Sequence, residues 1–237
     1  MPRDYYKAVD DHDYVPMDAD KELSMGFIRK VYGILAAQLT FTTAFCAWAT
    51  LSEAVQQFML ENFALFICSC VLAIVICFAL SCCPQNGRIV PRNYILLGLF
   101  TLCESYMVGA LCAMTDPTIV LTAAVLTVGV TVALTLYACF TKTDFTVLGG
   151  MTWILSMVML MFGIMLFFMH SSLLNTIYCV LGVLLYGLFL IIDTQLIVGG
   201  QKTYRLGYDD YILGAMMLYI DIIGMFVYIL RLLRGEQ

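Results

Sequence analysis

Apolar residues fall into seven blocks at roughly 31–51, 63–83, 94–114, 118–140, 147–169, 174–198 and 211–230, each closed by a short polar or turn-forming stretch. A helix needs about twenty apolar residues to cross a bilayer, so the pattern predicts an all-α polytopic membrane protein with seven transmembrane helices. The breaks are ordinary turn chemistry: Pro84-Gln85-Asn86-Gly87, Asp116-Pro117, Lys142 to Asp144, and Gly199-Gly200. Connections this short predict one compact bundle over residues 27–237 and leave no room for a separate soluble domain. The first apolar run is full length and its flank is acidic rather than basic, which predicts an uncleaved span rather than a signal peptide.

Composition agrees, with 62% of the 237 residues hydrophobic and only 12% charged, where a soluble domain carries roughly a quarter charged. The net charge of −5 says little about partners, because seven acids (Asp4, Asp10, Asp11, Asp13, Asp18, Asp20 and Glu22) lie in the first 26 residues. Residues 1–26 therefore read as a solvated, disordered acidic arm.

Lys and Arg set the orientation, since they accumulate on the cytosolic side. The arm and the loops after spans two, four and six share one side, which carries Arg3, Lys7, Lys21, Arg29, Lys30, Arg88, Arg92, Lys142, Lys202 and Arg205. The other side carries only Arg231 and Arg234, beyond the last span. The count predicts a cytosolic N-terminus. A re-entrant last segment would bring those two arginines to the cytosol as well, but 211–230 is long enough to cross, and a full crossing is the reading preferred.

Enzyme chemistry finds no foothold. The two histidines, His12 and His170, cannot supply a three-histidine zinc site, and there is no G-x-S-x-G nucleophile turn. His170 beside Ser171 and Ser172 reads as a loop histidine with helix-capping serines rather than a catalytic dyad. Phosphate-cradling glycine loops and nucleic-acid patches are missing, and a rhodopsin-like receptor would place its N-terminus outside the cell. No cysteine falls in the non-cytosolic loops, so the cysteines read as small apolar side chains, apart from Cys82-Cys83, placed where acylation occurs.

Three carboxylates stand out: Glu104, Asp193 and Asp221 sit inside apolar blocks without a Lys or Arg to pair with. An acid in lipid must carry a proton, bind a cation or line a wet cavity. Counting at 1.5 Å per residue puts Asp193 about 10 Å, Asp221 about 15 Å and Glu104 about 16 Å from the cytosolic ends of their spans. Asp193 and Asp221 can therefore meet across neighbouring helices and share a proton. Loss of that proton would separate the helices or capture a divalent cation, for which oxygen ligands favour Ca²⁺. Glu104 reads first as a pore-lining acid.

Three runs carry a resemblance. Phe27-Ile28-Arg29-Lys30-Val31-Tyr32-Gly33-Ile34-Leu35 followed by Gln38-Leu39-Thr40, then Ile191-Ile192-Asp193-Thr194-Gln195, and finally Asp210-Tyr211-Ile212-Leu213-Gly214-Ala215 with Leu218-Tyr219-Ile220-Asp221-Ile222-Ile223, resemble the BAX-inhibitor-1 superfamily. The first and last are most similar to its Lifeguard branch, which includes the Golgi anti-apoptotic proteins. The resemblance implies two three-helix layers around a central last helix. It implies a pH-sensitive Ca²⁺ leak channel that lowers store Ca²⁺ and restrains cell death, with Asp193 and Asp221 as proton-sharing gate and cation site and Glu104 matching the acid of helix three. Two departures stand out: residues 63–83 hold no arginine to latch the gate as in some bacterial members, and Gly224 replaces the usual asparagine.

The expected protein is thus a non-enzymatic channel of the endoplasmic reticulum or Golgi membrane, or of the plasma membrane, with no tightly bound cofactor. Its partners would be the lipid bilayer, Ca²⁺ and protons, and cell-death or channel regulatory proteins, with no nucleic acid among them. The alternatives are a non-conducting scaffold that regulates apoptosis through protein partners and a proton-coupled Ca²⁺ antiporter.

Overall fold

Each apolar block folds as one helix, because in hydrocarbon every backbone N–H and C=O must be satisfied within its own segment. The structure, a computed structural model, describes residues 17–169, 171–199 and 203–235. Among these it contains α1 (Met17–Leu51), α2 (Glu53–Glu61), α3 (Phe63–Cys82), α4 (Pro84–Arg88), α5 (Arg92–Ala113), α6 (Pro117–Phe140), α7 (Gly149–Phe168, entered through a 3₁₀ turn at Thr146–Leu148), α8 (Ser172–Val198) and α9 (Tyr211–Arg234). Seven of the helices are long and apolar enough to cross a membrane.

Two boundaries differ from the sequence expectation. The acidic arm expected over 1–26 already becomes helix at Met17. Residues 1–16 lie outside the described residues. The stretch 52–62, the break between the first two apolar blocks, contains α2, which starts after Ser52 in extended conformation, carries Glu53 in its first turn and buries Met59.

The helices form two layers with α9 between them. On one side α5 packs against α1 and α3; on the other α8 packs against α6 and α7. α9 touches both layers, most extensively α8, then α1 and α6. Of its apolar window 56% is buried inside the bundle, against 11% for α6 and α7. Ile212, Ala215, Tyr219 and Met225 on α9 are fully enclosed, so a helix that is apolar on nearly every face sits where every face is covered. Trp153, Ile154 and Val158 on α7 point outward, as expected of a helix whose outer face meets lipid.

α9 is unbroken over 24 residues, about 36 Å at 1.5 Å per residue, which is ample for a full crossing. α8 ends at Gly199, whose φ of +62° lies in the left-handed region and whose N–H donates to Gln195 O at 2.9 Å. That cap terminates α8 because glycine has no Cβ to strain there.

Candidate functional site

The two aspartates predicted to meet do so. Asp193 on α8 and Asp221 on α9 are 8% and 4% exposed, and their carboxyl groups lie close enough to interact directly. Asp221 Oδ2 is enclosed and receives no hydrogen bond from any amide, hydroxyl or amine among the described residues. Neither carboxyl is paired with a Lys or Arg there. An ionised carboxylate can only accept, so a carboxyl–carboxyl hydrogen bond requires a proton on at least one partner. The pair is therefore two enclosed carboxyls with no basic partner among the described residues.

The residue two positions beyond Asp193 anchors it to the end of the bundle where α8 gives way to α9. Gln195, 1% exposed, accepts from Phe145 N at 2.8 Å through Oε1 and donates through Nε2 to Thr143 O at 3.0 Å and Ala138 O at 3.4 Å. One buried amide thus ties α8 to the α6–α7 connection. The α8–α9 connection is held in turn by Asp144. Its Oδ2 accepts from Thr203 N at 2.8 Å and Thr203 Oγ1 at 2.7 Å, and its Oδ1 from Thr146 N at 3.0 Å and Thr146 Oγ1 at 2.6 Å. These bonds, the Thr146 hydroxyl foremost, hold the Asp144 carboxyl well below the usual carboxylate range.

The missing span-two arginine is not replaced at the aspartate pair. Arg88, on α4 just beyond that span, instead grips Asp210 at the start of α9, with Nε to Oδ1 at 2.8 Å and Nη2 to Oδ2 at 3.0 Å. Lys30 lies over the Tyr211 ring at 5.2 Å, and Tyr211 in turn receives a hydrogen bond at 3.2 Å from Asn93 Nδ2. The entry to α9 is therefore fastened to α1, α4 and α5.

Glu104 does not join the pair. It is half-buried on α5 and close enough to act electrostatically on Cys70 and Cys77 of α3 and on Tyr186 and Tyr219. Among the described residues no three His, Cys, Asp or Glu side chains converge as a metal cage. A third protein ligand for a cation at Asp193 and Asp221 is therefore not supplied by Glu104 in this conformation.

Sequence reading missed a polar seam in the same region. Gln38 Nε2 donates to Thr101 Oγ1 at 2.8 Å, while Thr42 Oγ1 lies 2.8 Å from both Ser105 Oγ and Tyr219 Oη. All five side chains are at most 5% exposed. The signal was available: Gln38 and Thr42 on α1, and Thr101 and Ser105 on α5, are each four residues apart, hence on one helical face. The seam stitches α1 and α5 to the central helix on the side where Glu104 sits.

Also missed was the use made of glycine. A Cβ at Gly224 would run into the ring of Tyr186, and one at Gly182 into the ring of Tyr228. Gly224 thus allows direct contact between an aromatic ring and the α9 backbone, one turn from Asp221. Tyr228 Oη donates to Tyr178 Oη at 3.0 Å, and Arg231 stacks on Tyr178 at 5.5 Å while Nη2 donates to Asn175 Oδ1 at 2.9 Å. Those contacts accommodate a basic residue at the far end of α9. Ser171 is the N-cap of α8, as the capping expectation had it; His170 and Lys202 lie outside the described residues.

Comparison with known proteins finds relatives of the chain as a whole. Residues 24–237 match the family model described as inhibitor of apoptosis-promoting Bax1. Protein lifeguard 3 of Homo sapiens is 36% identical over 218 residues, covering 90% of this chain and 70% of the relative. Protein lifeguard 3 of Mus musculus is 33% identical over 222 residues, covering 92% and 72%. A BI1-like protein of Arabidopsis thaliana is 35% identical over 220 residues, covering 91% and 82%.

Proposed function

The chain belongs to the family of inhibitors of apoptosis-promoting Bax1, and from that footing we propose that it is a pH-sensitive Ca²⁺ leak channel of endoplasmic reticulum or Golgi membranes that lowers store Ca²⁺ and restrains cell death. Its N-terminus faces the cytosol, and Ca²⁺ runs down its gradient from the lumen.

The observation that carries this reading is the contact between Asp193 and Asp221, buried inside spanning helices without a basic partner. With one proton shared, the two carboxyls hold α8 to α9. Removing it leaves two like charges in a poorly solvated site, which must separate or take up a cation. A hard divalent cation suits them, and two carboxylates fall short of the six to eight oxygens that Ca²⁺ prefers. Water must complete the shell, so the ion is held weakly enough to leave again, as conduction requires. Glu104, half-buried on the neighbouring face of the bundle, is assigned to the pore wall.

Purified protein in Ca²⁺-loaded liposomes tests the proposal. It should leak, the leak should change between mildly acidic and neutral pH, and Asp193→Asn or Asp221→Asn should abolish that response. A correctly folded protein that passes no Ca²⁺ would sink the channel and leave a scaffold that acts through protein partners. Ca²⁺ driven uphill by an imposed proton gradient would replace the leak with antiport.

A further inference from the structure

The bundle has an open side. α1 packs on α5 and α9, and α6 packs on α8 and α9, but α1 and α6 make no substantial contact with each other. Between them lies a cavity of about 480 Å³ whose walls include Thr43 and Ala47 of α1 and Leu121 and Val128 of α6, with Ile222 and Phe226 of α9 as its floor. Volumes of about 300–1,000 Å³ are those of sites that hold small ligands.

Three features specify what fills it. First, it opens sideways: the rim residues Leu51, Leu121 and Val128 are 78%, 66% and 64% exposed on the surface that faces hydrocarbon. Second, it is dry. Thr50 donates its hydroxyl to Cys46 O at 2.8 Å, Thr127 to Ala123 O at 2.7 Å, and Thr42 is engaged with Ser105 and Tyr219. Three of the four lining threonines thereby spend their hydroxyls elsewhere, which leaves Thr43 as the one hydroxyl among the walls without such a bond, and a water there would lack the two to four polar partners it needs. Third, its length fits one leaflet. The lining runs along α1 from Leu39 to Leu51, about 18 Å at 1.5 Å per residue, against a half-core of roughly 15 Å.

An apolar crevice, one leaflet long and open to hydrocarbon, has lipid tails as its solvent, and leaving it empty would forfeit the dispersion contacts of its walls. We infer that the crevice between α1 and α6 is a binding site for one acyl chain of a bilayer lipid. The headgroup lies at the Leu51 and Pro117 end, beside Glu53 and Asp116 and away from any Lys or Arg in those loops, which favours a zwitterionic lipid whose ammonium faces the acids. The chain lies against Ile222 and Ile223, the residues that follow Asp221, and so bars water from the aspartates on that side. The site stands whether or not the protein conducts Ca²⁺.

Reconstitution of the full chain in phosphatidylcholine bearing a photoreactive diazirine on one acyl chain, followed by illumination and peptide mapping, tests it. Lipid that only surrounds the protein labels outward residues such as Ile154 and Val158, whereas Ile222, Ile223 and Phe226 are each 9% exposed and line the crevice. Adducts on those three, at yields comparable to α7, are expected. Ala124→Trp, which fills the crevice from α6, should lower them by about tenfold and leave the α7 adducts unchanged. Ala47→Phe at the mouth serves the same purpose if the tryptophan variant does not elute as folded protein. Labelling of α7 without labelling of the α9 floor in the unsubstituted protein overturns the inference, as does floor labelling that survives a folded crevice-filling variant.

Discussion

Gly224 on α9 lies directly beneath the ring of Tyr186 on α8, so close that a single methyl group at position 224 would overlap Cε1, Cζ and Cδ1 of that ring. The contact sets the distance between the two helices that carry Asp193 and Asp221. The ring cannot swing away freely, because it is also packed edge-on against Phe189 at 6.0 Å and tilted against Tyr228 at 5.7 Å. Gly224→Ala should therefore destabilise the protein by about 1–3 kcal/mol, the usual cost of overpacking, seen as a lower midpoint of thermal unfolding in detergent. Tyr186→Leu in the same chain should recover part of the loss, a non-additivity expected of residues in contact. Additive losses would show that the two helices do not meet there.

The aspartate pair should separate stability from function. The proposed carboxyl–carboxyl bond between the neighbouring Asp193 and Asp221 needs one donor, and an amide supplies one without changing the shape of the side chain. Asp193→Asn should therefore unfold within about 1 kcal/mol of the parent protein, the net worth of a typical hydrogen bond, while the pH response of Ca²⁺ flux disappears. Asp193→Leu leaves the buried Asp221 without its partner and should cost about 1–3 kcal/mol. Equal melting of the asparagine and leucine variants would argue against a hydrogen-bonded pair.

Why some of this architecture was readable in the chain and some was not has a physical basis. The seven spans are written in local hydropathy, and Asp193 and Asp221 announce themselves because an acid without a base in an apolar run is costly wherever the helix rotates. Their meeting followed from depth alone, since helices joined by a short connection are neighbours. Gly224 under Tyr186 and Gln38 against Thr101 depend on helix rotation and crossing, which no single block encodes. α2 escaped because a nine-residue helix is too short to show a membrane signal. The extension of α1 back to Met17 escaped because acidic composition suits both a solvated arm and the first turns of a helix.

Asp144 gives the molecule a pH dependence that is separable from the aspartate pair. Its carboxyl is held below the ordinary value of about 3.9 by the Thr146 hydroxyl, then by Thr203. A depressed folded-state pKa contributes stability that is fully present above the unfolded value and lost as pH falls through the folded one. The difference in melting temperature between the parent protein and Asp144→Asn should therefore be constant from about pH 5 to 8 and shrink only below about pH 4. Melting across that range in buffered detergent reads it directly. A difference that varies near neutrality would place another titrating group in this clasp.

Arg88 and Asp210 form the outermost fastening of α9, a two-pronged ion pair in which the arginine is 48% exposed and the aspartate 18%. Exposed pairs add little to global stability because water solvates both partners well, so Arg88→Ala should leave the melting temperature nearly unchanged. Its effect should be local: α9 begins at Tyr211, the next residue after Asp210, and releasing that end frees the helix that bears Asp221 to move against α8. Arg88→Ala should then speed Ca²⁺ efflux from liposomes at a pH where the parent protein is nearly closed, and raised ionic strength should act in the same direction on the parent protein. The charge swap Arg88→Asp with Asp210→Arg should restore slow efflux, since it rebuilds the attraction with its ends exchanged. Arg88→Lys should restore it only in part, because an ammonium cannot match both carboxylate oxygens as the guanidinium does. Efflux that is the same in all four proteins would show that the pair merely decorates the surface.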